Sequence, residues 1–266
     1  MKEITRSIII LLRNIPELRP MTDTYSKKMT VNASLCDSSG RLGIHNTADL
    51  FMDIAGEHAR ILGCSQPDLM KTGGFWLTVR SMFRFLRRPS LLEDIEVSTW
   101  PGIPETRRCF RDYLITGEGG VLAAGRTEWA VMDTETGRLR HLDGIYPDDI
   151  VLSDRKAMTE EFTRFGDSLE SGEIIGTYTV RSTDIDLGHH MNNTAYIRAF
   201  ETLFSADEWN EMDIKYLEVW YRSQCFEGET LTARRTVFPD RTEAGFFHED
   251  GSCALQLRYI TAAQDK

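Results

Sequence analysis

The chain has 266 residues, of which 41% are hydrophobic and 27% are charged, a composition typical of a folded globular protein. Its 41 acidic residues outnumber its 31 basic residues, and the net charge of −10 argues against broad nucleic-acid binding, because phosphate affinity depends on basic groups. The five cysteines form no C-x-x-C pair, which favours reduced thiols in a cytoplasmic protein over a disulfide framework or a zinc site.

The first 24 residues are interpreted as an N-terminal extension, with the folded region beginning near Tyr25. The apolar run at residues 8–12 is much shorter than the roughly 20 residues that span a bilayer. Basic residues precede this run, as in a signal peptide, but Arg13 and Asn14 interrupt it. We therefore predict no membrane span.

The first half of the chain, residues 25–145, combines one helix with several strands. A single apolar stripe predicts a helix over residues 46–63, started by Asn46 or Thr47 and ended by Gly63 in a left-handed turn. Branched and aromatic residues predict strands over 75–86, 94–100, 107–116 and 121–132. The Gly-rich segment 117–120 predicts a hairpin between the last two strands.

Residues 146–172 are polar and are interpreted as a linker with one short helix, after which the pattern of the first half restarts over residues 173–266. The second half has a predicted helix over 193–204 and predicted strands over 173–181, 214–222, 230–238, 243–249 and 252–261. Asn-Thr-Ala opens both helices, at Asn46 and at Asn193, 147 positions apart. The repeat predicts an α+β fold of two tandem hotdog domains, each a long helix wrapped by a curved antiparallel sheet. Two unrelated α+β domains are the alternative.

One loop between a predicted strand and the second helix concentrates polar side chains: T-D-I-D-L-G-H-H-M-N-N-T-A-Y, residues 183–196. Asp186 and His190 lie four residues apart across a turn, so a shared hydrogen bond could orient the imidazole. The free N–H groups of the helix that follows could stabilise an oxyanion. Helix capping by Asn192 or Asn193 explains part of this pattern, but capping does not require two histidines.

This loop resembles the D-x-N-x-H-x-N-N-x-x-Y signature of plant and bacterial acyl-acyl carrier protein thioesterases. Residues 129–139 and the segment Y-R-S-Q-C at 221–225 resemble further parts of that family, and the similarity extends from about Tyr25 to the C-terminus. It implies a double hotdog enzyme that hydrolyses the thioester of a fatty acyl carrier protein and so ends fatty acid synthesis. It also implies an acidic acyl carrier protein and a fatty acyl chain as partners, with no cofactor and no metal; a homodimer is left open.

The resemblance assigns catalysis to Asp186 and His190, but two positions depart from the family pattern. Gly188 stands in place of an asparagine, and Gln224 in place of a glutamate that helps to activate water; an amide cannot act as a carboxylate base. The expected mechanism is direct attack by water, with Gln224 orienting the water or the carbonyl. Cys225, which matches a cysteine once considered a nucleophile, is interpreted as a buried structural residue.

The resemblance also implies an apolar slot in the first half and a surface for the carrier protein. Candidates for the slot are Phe51, Ile54, Ala55 and Trp76. A basic cluster in an acidic chain favours a docking surface, and a solvated strand face is the alternative. Its members are Arg80, Arg84, Arg87 and Arg88, continued by Arg107, Arg108 and Arg111.

Two other functions remain open at this point. An acyl-coenzyme A thioesterase would share the chemistry and differ in the carrier. A non-catalytic acyl-binding hotdog protein would explain Gly188 and Gln224 as marks of lost activity.

Overall fold

A computed structural model of the protein describes residues 23–150, 152, 154–166 and 168–265, so the predicted N-terminal extension up to residue 22 lies outside the described residues. The described strands are β1 (Tyr25–Thr30), β2 (Gly74–Phe85), β3 (Asp94–Pro101), β4 (Cys109–Gly117), β5 (Gly120–Asp133), β6 (Glu173–Thr179), β7 (Ile214–Tyr221), β8 (Thr230–Val237), β9 (Thr242–Phe247) and β10 (Cys253–Thr261). The described helices are α1 (Ile44–Ile61), α2 (Gln66–Met70), α3 (Asn193–Glu201) and α4 (Ala206–Met212). Within this part of the chain, no helix has the length and apolarity needed to cross a bilayer.

All ten strands join one antiparallel sheet, in the order β1-β3-β4-β5-β2-β7-β10-β9-β8-β6. The five strands of each half have the same internal order, and the two halves meet where β2 pairs with β7, at Arg80↔Trp220 and Arg84↔Tyr216. This mirrored order confirms the tandem hotdog fold and excludes two unrelated domains.

The true offset between the halves is 149 residues, rather than the predicted 147. It relates the 3₁₀ turns Ala33–Leu35 and Ser182–Asp184, and also the helix caps Gly43 and Asn192. The N-cap of α1 is therefore Gly43, not Asn46 or Thr47, and the two Asn-Thr-Ala triplets do not occupy equivalent positions. Gly63 does adopt the predicted left-handed conformation after α1, with φ at +69°.

The core lies between the inner face of the sheet and the helices. The stripe that α1 buries has helical spacing and includes Ile44, Ala48, Phe51, Ile54 and Ala55. The ring of Phe51 stacks on Tyr113, with centroids 4.7 Å apart. The second helix is shorter than predicted, because α3 ends at Glu201 and a capping box of Ser205 and Glu208 starts α4.

The linker is an extended strap across the outer face of the sheet. Its described residues between 155 and 168 are here called the strap. The described residues of the whole linker, 146–172, contain no helix, so the predicted short helix is wrong. The backbone N–H groups of Ala157 and Thr163 donate to Asp112 on β4 and Glu218 on β7, at 2.8 and 3.1 Å, instead of to helical carbonyls. The strap makes further contacts with the sheet: Arg155 stacks on Trp100 of β3, Glu160 pairs with Arg84 of β2, and Ser168 donates to Glu243 of β9.

An ion pair joins the first α-helix of each half. Nδ1 of His45 on α1 lies 2.5 Å from Glu201 on α3. Burial acts to lower the pKa of His45, but the hydrogen bond and the charge of Glu201 outweigh burial and raise that pKa above its ordinary value.

His45→Gln is expected to lower the free energy of unfolding by about 1.5–3 kcal/mol at low pH, the range for hydrogen bonds to charged groups. A raised pKa stabilises the fold fully below the unfolded value of about 6.5, and this contribution is lost as pH rises through the folded pKa. Urea unfolding of both proteins at pH 5.5 to 9 should therefore show a difference that shrinks with pH. A difference that is constant with pH would contradict this assignment.

Candidate functional site

A cavity of about 620 Å³ lies where the two halves meet. Its walls come from α1 and β2 of the first half, and from the 185–192 loop and the end of β7 of the second. The exposed residues Leu187, Arg222, Ser223 and Gln224 surround its mouth. The cavity is therefore built by both halves, although the polar loop belongs to one of them.

The polar loop is a tight turn closed by a bridge between Ile185 and Met191. The N–H of Asp186 donates to the carbonyl of His190, and the N–H of His189 donates to the carbonyl of Asp186, each at 3.0 Å. His189 takes a left-handed conformation with φ at +60° and is exposed, so it does not line the cavity. Asp186 and His190, by contrast, both line it.

Asp186 and His190 are close but do not share the predicted hydrogen bond. Oδ1 of Asp186 lies 3.9 Å from Nδ1 of His190, beyond hydrogen-bond distance. Nδ1 lies 3.3 Å from the carbonyl of Met191, while Asp186 accepts the N–H of Gly188 at 2.7 Å. The carboxylate thus acts on the imidazole through its charge, and Nε2 of His190 is the ring nitrogen without a protein partner among the described residues.

Gly188 leaves space for the imidazole of His190 close to the backbone of the loop. A Cβ at position 188 would lie 2.7 Å from Nε2 of His190 and 3.0 Å from Oδ1 of Asp186. The asparagine expected from the family pattern would therefore displace the imidazole from its present position. Compared with the family asparagine, glycine at this position therefore removes a polar side chain and also provides the space that the His190 imidazole occupies.

Gly188→Ala is expected to lower kcat by about 10-fold or more, because moving an acid/base group by about 1 Å is costly. Gly166→Ala is the matched control, since a Cβ there meets nothing within 4 Å. Steady-state kinetics together with thermal unfolding test this expectation. Equal kcat values for the two variants would show that the imidazole is not held against Gly188.

The N-terminus of α3 presents a backbone donor to the cavity. The side chain of Asn192 caps the helix by accepting the N–H of Thr194 at 2.8 Å. Asn193 lines the cavity, and its N–H has no partner within the described part of the chain. This N–H is suited to hold a negative oxygen at the mouth.

Gln224 and Cys225 are adjacent in sequence but lie in different environments. Gln224 is exposed and lines the mouth of the cavity. Cys225 is fully buried and does not line the cavity, and burial raises the pKa of its thiol to about 11. A buried thiol that stays protonated is a poor nucleophile, in agreement with the structural interpretation of Cys225.

The structure also assembles a group that sequence reasoning missed. Oγ of Ser223, on the cavity wall, lies 2.7 Å from Nε2 of His248, and Nδ1 of His248 lies 3.6 Å from Glu229. Cys225, Glu229 and His248 each place one ligand-type atom within 4.8 Å of the others. No sequence motif links these residues, because only the pairing of β7 with β10 and of β10 with β9 brings them together.

The four residues predicted for the acyl slot divide into two pairs. Ala55 and Trp76 line the cavity. Phe51 and Ile54 do not line it and are buried in the core, because they face the sheet from the neighbouring stripe of α1. Met52, Gly56 and Ala59 of α1 are the additional lining residues that the sequence analysis overlooked.

The arginines of the predicted docking surface take part in ion pairs within the chain. Each of the first four members has an acidic partner. The pairs are Arg80 with Glu128, Arg84 with Glu160 and Asp265, Arg87 with Glu93, and Arg88 with Asp37. Arg88 is also buried. Arg108 likewise pairs with Glu128, and Arg111 lines the cavity.

Comparisons with known proteins identify similar sequences. Residues 22–150 match the model of the acyl-ACP thioesterase N-terminal domain, and residues 168–257 match the C-terminal domain of the same family. The chain is 23% identical over 230 residues to a chloroplastic acyl-[acyl-carrier-protein] hydrolase of Cuphea viscosissima, covering 76% of this chain and 54% of the relative. It is 21% identical to the oleoyl-acyl carrier protein thioesterase of Coriandrum sativum, covering 76% and 59%. The chain thus spans a little over half the length of these relatives.

Solved structures resemble the fold over most of the chain. An acyl-ACP thioesterase from Bacteroides thetaiotaomicron has a TM-score of 0.79 at 19% identity, covering 90% of this chain and 97% of the other. The 12:0-ACP thioesterase from Umbellularia californica has a TM-score of 0.75 at 20% identity, covering 89% and 96%. At these identities the similarity shows a shared fold.

Proposed function

The chain belongs to the acyl-ACP thioesterase family, and from this we propose that it hydrolyses the thioester between a fatty acyl chain and acyl carrier protein. One observation carries the proposal: the Asp186–His190 loop opens onto a cavity of about 620 Å³ that is lined largely by apolar side chains. A cavity of this size and lining suits an acyl chain. The thioester would then lie at the mouth, beside the imidazole.

The proposed chemistry is attack by water on the thioester carbonyl. Nε2 of His190 takes a proton from the water as its oxygen bonds to the carbonyl carbon, and the N–H of Asn193 holds the resulting oxyanion. The C–S bond then breaks, and His190 returns the proton to the leaving thiolate. Asp186, 3.9 Å away, stabilises the imidazolium by its charge. Gln224 orients the water or the carbonyl through its amide.

The proposal also assigns a separate role to each half of the chain. Residues 25–145 form the domain that holds the acyl chain, residues 146–172 the linker, and residues 173–266 the domain that carries the reactive loop. A cytoplasmic location and a role in fatty acid biosynthesis belong to the same proposal. The five cysteines, all free, agree with a reducing compartment.

Hydrolysis of acyl-acyl carrier protein and of acyl-coenzyme A, measured side by side, tests this function. We expect the larger kcat/KM for the carrier-protein substrate. A larger kcat/KM for coenzyme A would favour an acyl-coenzyme A thioesterase. Tight acyl binding without turnover would favour a non-catalytic acyl-binding protein.

A further inference from the structure

Arg111 is a buried cation without an acidic partner among the described residues. It lies on β4 and is only 5% exposed. Its Nη1 lies 3.2 Å from Nδ1 of His58 and 3.3 Å from Oγ1 of Thr99. Burial, together with the charge of Arg111, lowers the pKa of His58 to about 4, so both neighbours are neutral at neutral pH. A guanidinium removed from water without a counter-ion is costly for the fold.

The acids closest in the sheet cannot compensate this charge. Asp112 follows Arg111 on β4, and Glu128 lies on the neighbouring strand β5; both point to the outer face, because side chains alternate along a strand. Asp112 pairs there with Arg126 at 3.0 Å, and Glu128 pairs with Arg108 at 2.9 Å. The inner face around Arg111 therefore keeps its positive charge.

Arg111 lines the same cavity as the reactive loop, at the end away from the mouth. Four adjacent strands contribute to the wall in order: Tyr221 on β7, Trp76 on β2, Trp129 on β5 and Arg111 on β4. At a strand spacing of about 4.8 Å, this row spans roughly 14 Å. The mouth is exposed whereas Arg111 is buried, so Arg111 lies near the closed end.

A second polar side chain on the wall has a donor group without a partner. Nε2 of Gln66 is buried without a partner among the described residues, while Oε1 of the same side chain accepts the N–H of Trp76 at 2.9 Å. Gln66 lines the cavity as well. A purely hydrocarbon chain would leave the free N–H groups of both Arg111 and Gln66 without acceptors, and unpaired buried donors are unfavourable.

We propose that Arg111 binds a carboxylate at the distal end of the acyl chain, so that the preferred substrates are ω-carboxyacyl thioesters. This inference rests on the proposed function. The guanidinium presents two parallel N–H donors to a carboxylate and would supply the cation that the substrate's second carboxylate requires. The apolar wall between the mouth and Arg111 holds the methylene groups. Arg111 is thus a specificity-determining residue that does not touch the reacting atoms.

A matched substrate series tests the inference. Acyl carrier protein is loaded with mono-thioesters of α,ω-dicarboxylic acids and with thioesters of monocarboxylic acids of equal length, and kcat/KM is measured for each. The protein is expected to prefer the dicarboxylic series, and Arg111→Met to lower that preference by about 100-fold. Arg60→Met is the matched control, because Arg60 is exposed and does not line the cavity; its preference should be unchanged.

Thermal unfolding gives a readout that does not depend on turnover. Free dicarboxylic acid should raise the Tm of the protein and of Arg60→Met, but not that of Arg111→Met. Arg111→Met should itself be no less stable than the parent, because it removes an uncompensated charge. Equal hydrolysis of the two series, with no rise in Tm, would overturn the inference and leave the thioesterase function intact. Absence of hydrolysis with every thioester would overturn the proposed function, and the Tm measurement would then decide the inference alone.

Discussion

His190→Ala is expected to lower kcat by at least about 100-fold while the protein stays folded, since removing a positioned acid/base group typically costs about 10²–10⁴ in rate. Nε2 of His190 has no partner among the described residues, and the side chain lines the cavity. The neighbouring imidazole of His189 is exposed and does not line the cavity, so it is not placed to replace His190. Asp186→Asn should lose less, because the two side chains are 3.9 Å apart and interact by charge alone. Steady-state kinetics with acyl carrier protein thioesters measure both effects.

Cys225→Ala is the control for this prediction. Its thiol is buried, does not line the cavity and has a pKa raised by burial to about 11, so most activity should remain. If Cys225→Ala abolished turnover and His190→Ala did not, water attack would be refuted in favour of a thiol nucleophile. Circular dichroism of each variant separates loss of chemistry from loss of fold.

Arg258→Met is expected to destabilise the protein by about 3–5 kcal/mol, the usual effect of breaking a buried ion pair from one side. Arg258 on β10 lies 3.2 Å from Glu218 and 2.7 Å from Glu243, both buried, and also contacts Thr163 of the strap. Without the guanidinium of Arg258, the buried carboxylates of Glu218 and Glu243 lose a positively charged partner. Urea unfolding measures the expected decrease in the free energy of unfolding.

Arg241→Met provides the comparison, because Arg241 also pairs with Glu243 but is about one-third exposed. A pair of this kind contributes at most about 1 kcal/mol. Limited proteolysis should cut the strap faster in Arg258→Met than in Arg241→Met, since Thr163 and the carbonyl of Arg164 both accept from Arg258. Similar unfolding energies for the two variants would mean that the strap does not depend on Arg258.

The features that the sequence predicted well are those that depend on the local spacing of apolar and polar residues. Alternating residues placed nine of the ten described strands within about two positions, whereas β1 was not predicted as a strand. The stripe of α1 and the left-handed Gly63 followed from helical spacing and turn chemistry. The Asp186–His190 spacing likewise placed both side chains on one turn, but the hydrogen bond predicted between them is absent, because Asp186 accepts the N–H of Gly188 instead. In these cases the determining neighbours are within a few residues of each other in the chain.

The features that sequence could not predict depend on distant partners. Arg84 is neutralised by Glu160 and Asp265, which are 76 and 181 residues away. The strap has no pattern of its own because its N–H groups are satisfied by acids of the sheet. Arg111 lacks an acidic partner because the side chains of Asp112 and Glu128 lie on the opposite face of the sheet, which the sequence alone does not show.

The 149-residue offset shows which residues of the two halves occupy equivalent positions. It aligns Asp37 with Asp186, Gly40 with His189, and Arg41 with His190; Gly40 and His189 have φ angles of +70° and +60°. Asp37 pairs with Arg88 and Arg41 pairs with Asp213, so the charged side chains of the first copy of the turn are bound to other parts of the chain.

Two identical subunits must carry every substitution twice, whereas a fused duplicate can change one copy at a time. Here the second repeat carries the Asp186–His190 turn. The first repeat carries the longer helix, with 18 residues in α1 against nine in α3, and α1 lines the cavity. The expected stoichiometry is one substrate for each chain.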